Sequence, residues 1–114
     1  MTAWPNTCFG DVVACGLWGD LAIYQNTQQG IFYQVDGMTP DRQTSFEFYL
    51  GRFDDSTQFY HFLVKFFENR PNVVTFQYLN VTDLGVGNTV GVQKYSGMLS
   101  EISIPTDPLC LALI

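Results

Sequence analysis

The best acid–base pair in the chain is Glu47 with Glu68, one inside an apolar run and one at the end of the next. Glycoside hydrolysis needs two carboxylates ~5–9.5 Å apart in a cleft. In the run TSFEFYL, alternation turns Glu47 away from Phe46 and Phe48, and solvated strand-face acids account for both glutamates. A hydrolytic triad would have to combine the lone His61 with Asp54 or Asp55 and some serine. No Gly-x-Ser-x-Gly phrase supplies a nucleophile, and His61 reads as a strand-surface residue. The GVGN phrase, Gly85 to Asn88, lacks the lysine and the helix of a phosphate loop and reads as a turn. These patterns nominate no catalytic residue, and the chain reads as non-enzymatic.

Binding chemistry has more candidates. Asp54 and Asp55 share a polar loop with Ser56 and Thr57, and Asp83 sits in a second, Gly-containing loop. Hard oxygen ligands in loops suit Ca2+, the only cofactor the pattern accommodates; turn preferences explain the same letters. Tyr24, Tyr33, Tyr49 and Tyr60, with Gln34 and Gln58 near them, could form a sugar-stacking platform, in competition with core packing and cross-strand pairing. Asn80-Val81-Thr82 is a glycosylation sequon where a strand enters a turn. The cysteines Cys8, Cys15 and Cys110 are odd in number, so at most one internal disulfide forms. Cys8 with Cys15 would close a short loop; either with Cys110 would tie the chain ends together. Their spacing matches no zinc site.

The elements that must position these groups are strands. The 114 residues make one domain, 1–114. Apolar residues are 46% and charged residues 14%, which argues against disorder. Aromatics reach 16%, with Phe the commonest, and aromatics favour strands. A net charge of -6 argues against nucleic acid and anionic membrane, both of which require clustered Lys and Arg. No apolar run approaches the ~20 residues of a membrane-spanning helix. Residues 1–15 carry no basic start, so a secretion signal is expected outside this chain.

Period-two alternation places Phe46, Phe48 and Leu50 on one face of a strand over 44–50, and Tyr60, Phe62, Val64 and Phe66 on one face of a strand over 58–68. Further strands are expected over 21–24, 30–35, 73–81, 89–94 and 99–104, with a last one over 110–114. The loops are GRFDDSTQ, ENRPN and TDLGVGN, and Gly91 hints at a bulge. Turns recurring about every ten residues predict an all-β, antiparallel β-sandwich, jelly-roll-like, of about seven to eight strands. Its predicted core is Phe46, Phe48, Phe62, Val64, Phe66, Val74, Phe76 and Val90.

The phrases GLWGDLAIY, GIFYQVDGMTPDRQTSFEF, YHFLVKFFENRPNVVTFQYLNV and NTVGVQK, in that order, resemble the nidogen-like extracellular β-sandwich modules of bacterial and fungal secreted or cell-surface proteins. The resemblance covers Trp18 to Lys94. It implies an extracellular setting and an adhesion or matrix role, with no catalytic residues. The chain departs from the pattern at Gly19, where the family carries an acid, and in its opening and closing segments. The expected partners are an extracellular glycan or protein. The alternative is a structural subunit that assembles with itself through β-edges into an oligomer or fibre.

Overall fold

The computed structural model describes residues 13–94, 97–102 and 109–113, the last two segments and 93–94 by backbone alone. The fold is all-β and antiparallel. Its strands are β1 (Val13–Trp18), β2 (Leu21–Ala22), β3 (Gly30–Asp36), β4 (Gln43–Arg52), β5 (Asp55–Phe67), β6 (Arg70–Val81), β7 (Thr89–Lys94), β8 (Gly97–Ile102) and β9 (Leu109–Leu113). They form a three-stranded sheet, β1-β7-β8, and a six-stranded sheet, β2-β4-β5-β6-β9, in which β3 also pairs with β4. β2 and β3 share one edge of β4: Ala22 is opposite Gly51, and Gly30 is opposite Tyr49. The segment between them leaves the sheet and returns.

The alternation read from the sequence sets the registers. Phe46 lies opposite Val64, Phe48 opposite Phe62 and Leu50 opposite Tyr60. Phe62 lies opposite Tyr78, Val64 opposite Phe76 and Phe66 opposite Val74. One face of the large sheet is therefore apolar apart from Thr44, and the small sheet covers its β5–β6 half. Leu17, Val90 and Val92 close the core against Tyr60, Phe62, Val64, Val74, Phe76 and Tyr78. Phe48 stacks on Phe62 with centroids 5.0 Å apart. Phe46, Phe48 and Phe66, expected inside, are only partly buried, because the small sheet stops short of them.

The structure corrects several local expectations. β1 has no counterpart among the predicted strands: VACGLW contains Gly16 and lacks polar/apolar alternation. Gly16 is what admits it, since a Cβ there would meet the Phe62 ring at 2.8 Å and Val64 at 3.0 Å. The two polar loops also shrink. β4 and β5 are joined at Phe53–Asp54, and β5 and β6 at Glu68–Asn69. The register shift between Phe66 and Phe67 absorbs Pro71 into the start of β6, a place where a residue without an N–H costs no ladder bond. Gly91 is buried and paired on both sides; the register shifts fall beside it.

Candidate functional site

The small sheet ends at β1, and β1 is clamped to the large sheet. The buried Tyr78 hydroxyl donates to the Gly16 carbonyl at 2.6 Å, so the close approach permitted by Gly16 is fixed by a hydrogen bond between sheets. Beyond β1 the inner faces of β4 and β3 continue without cover among the described residues. Ile31, Tyr33 and Val35 alternate onto this face and remain 55%, 75% and 52% exposed. Between β1 and these strands lies an apolar groove of about 310 Å³, lined by Ala14, Ile31, Phe46, Phe48, Leu50 and Phe66 among others. Both of its rims are strand edges, β1 above and β2–β3 below, that pair with no other strand among the described residues. Sequence reasoning missed this groove, because alternation reports which face a residue takes and not whether a second sheet covers it.

The opposite, outer face of the large sheet is polar and aromatic. Glu47 and His61 meet there, Oε1 to Nε2 at 2.6 Å. Tyr49 stacks on the His61 imidazole at 4.8 Å and meets the Phe59 ring edge-on at 6.0 Å. Glu68 lies elsewhere, at the β5–β6 turn, where Arg42 takes it in a two-pronged ion pair at 2.8 Å. That guanidinium holds the Glu68 carboxyl below its ordinary range. Glu47 and Glu68 line separate cavities.

No family model matches the chain, and neither a curated protein nor a solved structure is similar to it. What the site can do therefore has to be argued from its own residues.

The four candidate tyrosines do not form one platform. Tyr60 is wholly buried in the core. Tyr24 packs over Gly51, where a Cβ would meet its ring at 2.6 Å, and its hydroxyl donates to the carbonyls of Arg52 and Phe53. Tyr33 faces the groove and Tyr49 the outer face. Strand alternation sends tyrosines of opposite parity to opposite faces.

Two of the three candidate calcium ligands, Asp54 and Asp83, come together on Arg52. Arg52 donates from Nε to Asp54 at 2.9 Å and from Nη1 to Asp83 at 3.3 Å. One guanidinium thus links Asp54 to Asp83. Asp55 instead accepts the backbone N–H and the hydroxyl of Thr57, which lower its carboxyl below the ordinary range. Asp83 also accepts the Tyr60 hydroxyl at 2.7 Å and the Gly85 N–H at 2.9 Å. These contacts anchor the turn of 82–88, in which Leu84, Gly85 and Gly87 have positive φ and the two glycines take that conformation without a Cβ clash. Gly19 leaves the space that the Asn88 side chain fills.

Of the disulfide candidates, Cys15 is a free thiol on β1 beside the groove. Cys110 lies on β9 of the other sheet, in register with Phe76, and Cys8 lies outside the described residues. Burial pushes the Cys15 thiol up from 9.0 to about 11. At that value the thiol carries ~100-fold less thiolate at neutral pH than an exposed cysteine does. Iodoacetamide labelling followed by peptide mass spectrometry should show Cys15 nearly inert in the native chain, reacting readily only after unfolding or as pH approaches 11. The unfolded thiol ionises first, so this residue favours unfolding progressively between pH 9 and 11. Rapid native labelling at pH 7 would show that Cys15 is open to solvent.

Proposed function

We propose that this domain is a non-catalytic, extracellular binding or adhesion module that works by surface contact through its open side. The observation that carries the reading is the exposure of Ile31 in an apolar groove, and of Tyr33 and Val35 on the same sheet face beyond it, between two strand edges that pair with no other strand among the described residues. Contiguous exposed apolar surface marks interaction sites. A free edge beside an apolar groove suits an extended partner segment, since backbone hydrogen bonds give affinity and alternate side chains enter the groove. The extracellular setting rests on the nidogen-like resemblance alone.

The same edges favour a second reading, self-assembly. β3 is seven residues long, and its only charged side chain is the terminal Asp36. It lacks the lysines and prolines that usually protect an edge. Size-exclusion chromatography with light scattering separates the two readings. The binding reading expects a monomer that adsorbs to immobilised matrix protein or glycan and loses adsorption to matrix protein in Ile31→Lys and Val35→Lys. Growth in mass with concentration, abolished by the same substitutions, would replace it with assembly. A monomer that adsorbs to nothing would sink both.

A further inference from the structure

We propose that the outer face of the large sheet binds a neutral saccharide, with a sugar ring against Phe32 and its hydroxyls held by Glu47, Gln34 and Ser45. The inference rests on the reading of a contact-based binding module and adds a site and a ligand class to it.

Phe32 lies on β3 at the open edge of the sheet, and its ring reaches back over Gly30, where a Cβ would come within 2.7 Å of the ring tip. The absent side chain leaves the ring room to lie against the sheet while Phe32 stays 52% exposed. Gly30 is in register with Tyr49, and Tyr49 stacks on His61. Rings therefore run across β3, β4 and β5 on one face. A pyranose has an apolar C–H face that packs on such a surface and a hydroxyl rim that needs donors and acceptors at its edge.

That rim is supplied by the neighbouring rows. Phe32 is opposite Glu47, and Gln34 is opposite Ser45, which is opposite Lys65. Together they line a shallow cavity of about 290 Å³, near the ~300 Å³ lower bound of small-molecule sites. Each polar group is oriented by a neighbour and keeps capacity to spare. Glu47 receives His61 on one oxygen and has a second free to accept. Gln34 donates to Asp36 at 2.7 Å and keeps its carbonyl oxygen. Gln43 donates to Ser45 at 3.1 Å, leaving the serine hydroxyl its own proton to give. Groups held this way lose little freedom on binding. Glu47 and Asp36 outnumber Lys65 around the cavity, and the chain carries -6 overall, so the face disfavours anionic sugars.

The test is affinity electrophoresis in native gels containing hydroxyethyl cellulose, galactomannan, xyloglucan or dextran, with alginate as the anionic comparison. The chain is made in bacteria so that Asn80, exposed and in register with His61, carries no glycan. The expected result is retardation in at least one neutral gel and none in alginate. Phe32→Ala and Glu47→Ala should each weaken it at least ~10-fold, the scale of losing ~1.4 kcal/mol of contact, with the urea midpoint unchanged. Val35→Lys, on the opposite face, should be retarded like the parent. No retardation in any neutral gel, retardation that survives Phe32→Ala, or retardation in alginate overturns the proposal. Failure of the broader reading is separate, since matrix-protein adsorption and the Ile31→Lys and Val35→Lys variants report on the groove.

Discussion

Phe76→Ala should cost about 3–5 kcal/mol of folding stability, the full range for emptying a large aromatic site in a core. Phe76 has no exposure and sits on β6, between β5 and β9, in register with Val64 on one side and Cys110 on the other. Phe62, Val64 and Tyr78 surround it in the same cluster, and strands paired on both edges cannot collapse into the hole. For a domain whose total stability is ~5–15 kcal/mol, the loss removes roughly a fifth or more. Urea unfolding followed by tyrosine and tryptophan fluorescence checks it: the midpoint should fall sharply at constant slope. Phe32→Ala, half-exposed on the outer face, should move the midpoint by under ~0.5 kcal/mol equivalent. A Phe76→Ala cost below ~1.5 kcal/mol would mean that the two sheets do not close on β6 as described.

The second large effect is expected at Asp83. Its carboxylate is only 12% exposed, and it accepts from the buried Tyr60 hydroxyl, from Arg52 and from the Gly85 backbone. Burial, then the hydrogen bond to Asp83, hold the Tyr60 phenol above its ordinary range, so it remains a donor at all working pH. Asp83→Ala leaves a buried hydroxyl without this acceptor and frees the turn of 82–88. A loss of about 2–3 kcal/mol follows from the cost of an unsatisfied buried polar group. Tyr60→Phe removes only the donor and should cost about 1 kcal/mol. In the double variant the two losses should sum to less than their parts, because one removes the reason for the other. Additive losses, or an Asp83→Ala chain as stable as the parent, would dissolve this network.

The same carboxylate shows why the calcium reading was attractive in the sequence. In the sequence Asp54, Asp55 and Asp83 fall in polar, turn-rich stretches, as calcium ligands do; in the structure Asp55 opens β5. What the letters could not reveal is that Arg52, at the end of β4, brings its guanidinium between Asp54 and Asp83. Loop residues from separate parts of the chain meet only in the tertiary structure, and the cation among them came from a strand. The four tyrosines are likewise dispersed by the fold. The outer face does carry an aromatic and amide-rich surface, but its rings include Phe32, Phe59 and His61 beside Tyr49, and no other candidate tyrosine. Tyr60 went into the core and Tyr24 onto Gly51, positions settled by strand parity and by a missing side chain.

The sequence by itself determined the all-β, antiparallel character, the strands β3 to β7 and the faces taken along 44–50, 59–67 and 74–78; beyond the register shift at His61/Phe62 it is Val81 that turns in beside Tyr60. Those follow from local alternation, whose signal lies within a few neighbouring residues. It also placed Phe62, Val64, Val74, Phe76 and Val90 inside. Only the tertiary structure decided that β1 exists, that the hairpins are tight, and that the small sheet covers half of the large one. β1 depends on Gly16 lying against Phe62, a contact between residues distant in the chain. The open groove depends on how far the second sheet extends, which no local pattern encodes. Burial is a property of what stands opposite a strand, so exposure of Ile31, Tyr33 and Val35 became visible only once the sheets were in place.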